Sequence, residues 1–481
     1  MDFAALILAL VLYYIRPQEW MLPIQPLKPM TLVMALAVIA VIARTGLSWR
    51  QLFKTPHDWL ILTYCVWMVV TSPDRGQTFG EVYPLLIFYL VAVQALTNVK
   101  RMRQFLVVWT LMIFTIAAAG VLSPYGFDPT GAEGVTNYFR GRLALGTSIF
   151  NNPNSYGHSV VPAVLMIYFL FFWKRPVFVR IGSLPLFAVP LYCIYLTLSK
   201  GAFLSGFVTA VAALTFGRPK ITQILILVFA MTSGWAAIQT LPRMNEIKKS
   251  KTDEAIQGRI HAFAYGFDTF QKSYIGMGKG TFVKNIRADT GRGKAPHSSY
   301  VQIGGELGKV GFFLFLAILY CSLKTLVTSK ARDEDEERIR RILFTIIISY
   351  IISSWMVDFA YRVAFFFCIG AIAAYHRLLL QQEPSEEVNE KENKLAPVPA
   401  LTISGLEPVP VAAVPTLVSK MTTNRGWRSS IVSKDESVSE SAEEKPTAGI
   451  EWSRLTWIDL GLMIAIYWVM VKVWHLAIQR M

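Results

Sequence analysis

His297 heads the run His-Ser-Ser-Tyr at 297–300, just ahead of an apolar stretch. An unperturbed imidazole titrates at about 6.5, which suits a general base at neutral pH. Lys200 stands between two apolar runs, next to the small residues Gly201 and Ala202. An ammonium in that position either snorkels to a membrane interface or binds an anion. Arg259 lies on an amphipathic stretch with Ile256, Ile260, Phe263, Phe267 and Phe270 at helical spacing. Its guanidinium is either a solvated charge or a fork for phosphate oxygens. Asn151, Asn152 and Asn154 flank Pro153 in a turn that opens a helix. Asn154 or Ser155 can cap that helix, and the Asn side chains can bond a sugar or a phosphate.

Other chemistries fit less well. The remaining histidines, His57, His158, His261, His376 and His475, show no HExxH or comparable ligand spacing. The run Gly276-Met-Gly-Lys-Gly-Thr lacks the GxxxxGK[ST] pattern of a phosphate loop and reads as a tight turn. A Ser199-Lys200 dyad for peptide hydrolysis fails because adjacent residues do not face each other on a helix. Cys65, Cys193, Cys321 and Cys368 fall inside apolar runs without CxxC spacing and read as small apolar residues. Neither a cofactor nor a metal is expected.

The elements that must position these groups are membrane helices. The chain has 481 residues, 53% of them hydrophobic and only 16% charged, with a mean hydropathy of +0.42. Soluble domains average about 25% charged residues, so an ordinary soluble enzyme and a disordered chain are both excluded. The balance of 47 basic to 32 acidic residues gives a net charge of +15, which basic loops explain without nucleic acid. The expected fold is an all-α polytopic membrane protein of about 12–13 transmembrane helices, since each span needs about 20 apolar residues. Candidate spans lie near 3–15, 30–43, 59–72, 82–97, 105–122, 155–173, 184–198, 201–217, 221–238, 301–328, 342–357, 363–379 and 457–474. No cleavable signal peptide is expected, because the apolar N-terminus lacks a basic n-region.

Lys and Arg in alternate short loops (Arg44, Arg50, Lys54; Lys100, Arg101, Arg103; Lys174, Arg175, Arg180; Arg218, Lys220) set those loops and the N-terminus in the cytoplasm. With that topology the segments at 141–159, 196–206, 258–270, 276–282 and 295–311 all open to the outer face. The outer loop 239–300 holds 11 basic residues against five acids, and an anionic ligand is the simplest reason. The stretch 381–450, rich in Glu, Ser and Pro, reads as a disordered cytoplasmic linker. The helix within 451–481 is expected to be tethered and peripheral. Residues 1–122 are N-terminal membrane helices and 123–380 form the core.

In this order the segments resemble the bacterial O-antigen ligase and O-antigen polymerase superfamily, which includes O-linked oligosaccharyltransferases. The resemblance rests on Asn151-Asn152-Pro153-Asn154, Ser199-Lys200-Gly201-Ala202, Arg259, Gly276 to Gly280, His297 to Tyr300 and Glu306 to Gly311, and covers about 140–375. Lys200 stands where the family usually has Arg. The resemblance implies a GT-C-like bundle with a large periplasmic loop, in the bacterial inner membrane. It implies glycan transfer from an undecaprenyl (polyprenyl) diphosphate donor to a lipid, glycan or protein acceptor at the periplasmic face. His297 would be the base. Lys200 and Arg259, helped by Arg140 and Arg142, would hold the diphosphate. Asn152, Asn154, Ser199, Tyr300 and Glu306 would position substrate. Transfer would be inverting and metal-independent. A transporter or lipid flippase would also explain the span number and a basic cavity, but would favour paired broken helices in the two halves, and only 199–200 suggests a break.

Overall fold

Caps and turn residues decide where the helices start. The computed structural model describes residues 1–21, 23–46, 48–127, 141–240, 254–382 and 453–480. Their helices are α1 (Asp2–Ile15), α2 (Pro17–Trp20), α3 (Pro29–Thr45), α4 (Trp49–Leu52), α5 (Pro56–Val70), α6 (Arg75–Ala95), α7 (Val99–Leu122), α8 (Pro153–Ile167) and α9 (Val177–Leu196). There follow α10 (Lys200–Thr215), α11 (Lys220–Thr240), α12 (Glu254–Lys272), α13 (Phe282–Thr290), α14 (Ser299–Thr328), α15 (Glu334–Ser353), α16 (Val363–Gln382) and α17 (Trp457–Arg480). The protein is an all-α polytopic membrane protein. Each expected span falls on one of these helices. Among the described residues, eight helices are long and apolar enough to cross a membrane: α3, α6, α7, α8, α9, α14, α16 and α17. Of the other five, α1, α5 and α10 are shorter, and α15 begins with a run of acids, Glu334 to Glu337. The linker expected at 381–450 lies outside the described residues except for its first two, which complete α16.

Large apolar side chains remain exposed on α3 (Leu32, Leu36), α9 (Phe178, Ile181) and α11 (Leu225, Phe229). In water such a surface would be a liability; against hydrocarbon it is neutral. α16, α8 and α14 are the most enclosed spans, and the aromatic cluster of Phe315, Tyr350 and Phe365 joins α14, α15 and α16. One end of the bundle is closed by arginines bonded to carbonyls at helix ends and loops. Arg338 donates to Phe169 at 3.0 Å, Arg341 to Phe216 at 2.6 Å, and Arg377 to Leu52 at 2.6 Å.

A glycine turn and a broken helix form the structural key to the opposite end. Gly308 interrupts α14 with φ 66° and ψ −162°, a backbone region open only to glycine. The carbonyls freed by the break need donors inside the membrane. Met277 N–H reaches Gly305 at 3.1 Å and Gly278 N–H reaches Glu306 at 2.7 Å, while the Trp67 indole reaches Leu307 at 3.0 Å. Gly276 and Gly308 meet so closely that a Cβ on either would lie 2.5 Å from the other's backbone nitrogen. The turn at 276–280 therefore follows α12 as expected, and its glycines allow it to plug the break in α14.

Candidate functional site

Two helix starts meet at the Asn-Pro-Asn segment. Asn152 caps α8, its Oδ1 accepting the Asn154 N–H at 2.9 Å. The cap falls on Asn152 rather than on Asn154 or Ser155 because Pro153, which has no N–H, fits the first helical position. Ser199 caps α10: its Oγ accepts the Ala202 N–H at 3.3 Å and donates to Asn154 Oδ1 at 3.0 Å. Leu198, with φ 47°, makes the reversal between α9 and α10. Arg142 fastens the junction, donating to Asn154 Oδ1 at 2.6 Å and to the Thr197 carbonyl at 2.9 Å. Lys200 is the half-buried first residue of α10. Each helix N-terminus carries a partial charge of roughly +0.5. Two such ends beside Lys200 and Arg142 favour an anion. Arg140 lies outside the described residues.

His297 precedes α14 and has φ 47°, in the left-handed region. The residues after it are bonded to the turn that follows α15. Ser298 Oγ donates to the Ser354 carbonyl at 3.2 Å. Ser299 N–H donates to Ser354 at 2.7 Å and Val357 at 3.0 Å. Ser299 Oγ donates to Val357 at 2.9 Å and accepts the Phe359 N–H at 2.8 Å. This docking sets the imidazole in the field of Asp358. Burial pushes the His297 pKa below its ordinary value; Asp358 opposes the shift, while Arg259 and Lys294 reinforce it. The ring is therefore neutral at pH 7, the form that can accept a proton.

Arg259 lies in the first half of α12, whose face of Ala262, Phe263, Phe267 and Phe270 is buried as its spacing predicts. Lys294 crosses the helix at Gly258, where a Cβ would fall 2.8 Å from its Nζ. Arg259 acts electrostatically on both His297 and His158. His158, buried in α8 one turn beyond Asn154, has Nδ1 2.8 Å from Ser353 Oγ. Gly201, next to Lys200, closes the circuit: a Cβ there would lie 2.8 Å from Met356 Sδ and 2.9 Å from His158 Nε2. Arg259 thus acts on His297 and His158 from α12, while α10 meets His158 and the 354–359 turn through Gly201, the neighbour of Lys200.

Tyr300 and Glu306 sit differently. The Tyr300 ring is buried and its hydroxyl donates to the Ile351 carbonyl at 3.0 Å. Glu306 is buried, with Oε1 accepting the Phe282 N–H at 3.2 Å and Oε2 accepting the Tyr361 hydroxyl at 2.9 Å. Both hold protein to protein: Tyr300 fastens α14 to α15, and Glu306 fastens the glycine turn to the start of α16. Asp358, Lys294 and His158 were not singled out from the sequence as site residues. Asp358 follows directly on an expected span, Lys294 was one of many loop cations, and His158 carries no ligand spacing.

An apolar cavity of about 310 Å³ opens beside this region, lined by Tyr14, Ile15, Trp20, Ala119, Leu122 and Leu145 among others. Glu19, next to the lining residue Trp20, accepts the Ser148 N–H at 2.8 Å and hydroxyl at 2.7 Å. A comparison with curated proteins finds no match. The stretch from the second half of α9 through Lys200, Arg259, the glycine turn and His297 to just beyond the break in α14 is covered by a match to the family model O-antigen ligase, residues 185–316. That match supports placing the chain in the O-antigen ligase-like superfamily.

Proposed function

We propose that the protein transfers a glycan from an undecaprenyl (polyprenyl) diphosphate carrier to an acceptor hydroxyl, as an O-antigen ligase-like glycosyltransferase of the bacterial inner membrane. The observation that carries this reading is a neutral, half-buried His297 in the field of Arg259, with the start of α10, where Lys200 stands, packed against the neighbouring His158. A base next to cations suits attack by an alcohol on a sugar whose leaving group is a diphosphate.

His297 takes the proton from the acceptor hydroxyl. The acceptor oxygen forms its bond to the anomeric carbon as the bond from that carbon to the diphosphate oxygen breaks, so configuration inverts. Lys200, Arg259 and Arg142, with Arg140 as a further helper, hold the charge that develops on the leaving diphosphate. Lys200 acts as a point charge without the planar fork of an arginine. Asp358 orients the imidazole and stabilises it once protonated. Side-chain cations supply the charge stabilisation, so the reaction needs no metal. Asn152, Asn154 and Ser199 shape the diphosphate end of the site, while Tyr300 and Glu306 act through the loops they fasten. The apolar cavity beside α1 and α7 offers room for the first prenyl units. The site faces the periplasm, because the short loops at the opposite end carry the excess of Lys and Arg.

The test is transfer in vitro from a polyprenyl-diphosphate oligosaccharide in the presence of EDTA, with lipid A-core, the donor itself and a Ser-rich peptide as acceptors. Polymerase and protein O-oligosaccharyltransferase share the donor chemistry, so the acceptor consumed identifies the subclass. Lipid A-core is the acceptor we expect. Absence of turnover with all three, by protein that still binds donor, would favour transport or scaffolding.

A further inference from the structure

α17 lies outside the stretch that matches the ligase family, and most of its surface is apolar and exposed. Two fully buried side chains anchor it, Asp459 and Trp474. They are fifteen residues apart, roughly 22 Å along a helix. At the first anchor Asp459 pairs with Lys324 at 2.7 Å and accepts the Tyr320 hydroxyl at 2.6 Å. Both partners are on α14, far from its start. At the second anchor the Trp474 indole N–H donates to the Phe263 carbonyl at 3.2 Å. Its ring fills a slot between α12 and α14 that exists because Gly266 and Gly304 lack side chains. A Cβ would lie 3.3 Å from the ring at Gly266 and 2.6 Å from it at Gly304. Phe263 is one turn from Arg259 on α12. The helix therefore runs antiparallel to α14 and ends by wedging α12 against the first turns of α14.

From this we infer that Trp474 is a positioning residue for the transfer reaction, holding the Arg259-bearing helix in register with His297. The inference rests on the proposed transfer reaction only for its kinetic consequence. The 354–359 turn, which docks His297, is not among the groups α17 bonds. Loss of the wedge should therefore move Arg259 and leave the His297–Asp358 pair in place. Burial holds the imidazole pKa down, Asp358 raises it, and Arg259 and Lys294 lower it further. With Arg259 displaced, the acid limb of the rate–pH profile moves to higher pH and donor binding weakens.

The experiment uses the full chain in lipid nanodiscs, as wild type, Trp474→Ala, Trp474→Phe and, as a control on the lipid-facing side of α17, Trp468→Ala. Hydrogen exchange of α12 amides is read against those of α8, and transfer is read as donor KM, kcat and pH profile. For Trp474→Ala we expect α12 exchange faster by on the order of tenfold, α8 unchanged, donor KM raised about tenfold and the acid limb shifted upward. Trp474→Phe, which keeps ring packing and loses only the N–H, restores donor KM to within about threefold, and Trp468→Ala matches wild type. Unchanged α12 exchange in Trp474→Ala overturns the inference. So does faster exchange with donor KM and pH profile unmoved. If wild type transfers no glycan, the proposed function fails while the exchange data still decide whether Trp474 holds α12.

Discussion

The hydroxyl of Ser299 accepts the backbone N–H of Phe359 at 2.8 Å, so the residue two places after His297 is bonded to the residue directly after Asp358. The start of α14 and the turn that carries Asp358 are thereby fastened to each other. Such support is what a base needs to hold its geometry.

Replacing Ser299 with Ala removes both bonds of its hydroxyl and leaves the Phe359 N–H short of a partner, while the Val357 carbonyl keeps the backbone N–H of residue 299. Each buried polar group left unmet costs about 1–3 kcal/mol. We expect a Tm lowered by several degrees and a clear loss of transfer, with Ser299→Thr retaining more of both. Thermal unfolding in nanodiscs and initial rates check this.

The charges around His297 act on its pKa in opposite directions, and the sign can be worked out for each. The imidazole serves as base only when deprotonated, so activity falls as pH drops through its pKa. Because burial holds that pKa below the ordinary value, wild type should keep its activity to below about pH 6.5. Asp358 raises the pKa, so Asp358→Asn moves the acid limb to lower pH. Lys294 lowers it, so Lys294→Ala moves the limb to higher pH. Rate–pH profiles of kcat/KM for the two variants should shift in opposite senses; a shared direction contradicts the arrangement.

Lys200 tests the anion site. Lys200→Ala should raise donor KM by about tenfold or more, the scale of a lost charge-assisted contact to phosphate. Lys200→Arg should stay close to wild type, since the helix end and Arg142 are unchanged. Titration of wild type with inorganic diphosphate, followed by inhibition, gives an independent reading of the same site.

The contact between Gly276 and Gly308 leaves no room for a methyl group. Gly308→Ala or Gly276→Ala combines a left-handed φ with a backbone clash, and a loss above about 4 kcal/mol or failure to assemble is expected. Gly280→Ala, also at positive φ but with nothing within 4 Å of the added Cβ, should cost only about 1 kcal/mol. Expression yield and melting temperature separate the two cases.

Helices and their order were readable because each span announces itself by apolar length, and α12 by its aromatic spacing. Lys200, Arg259 and His297 stand out in the sequence as candidates because charged or titratable groups next to apolar runs are costly without a use. The break at Gly308 was not, because glycine is tolerated inside membrane helices and 301–328 looks continuous in hydropathy. Asp358 was missed because its partner is 61 residues away in the chain and only the fold makes them neighbours. α17 read as peripheral because its two anchors, Asp459 and Trp474, are single residues in an apolar run. What they touch on α12 and α14 depends on slots left by Gly266 and Gly304, which no local pattern encodes.

His297 as the base is the step on which the proposed transfer depends. Transfer from a polyprenyl-diphosphate oligosaccharide should be measured for wild type and His297→Ala, alongside donor binding and melting temperature. The expected result is a fall in kcat of about 10²–10⁴-fold, with donor binding and stability near wild type. A variant that transfers glycan at the wild-type rate would contradict the mechanism.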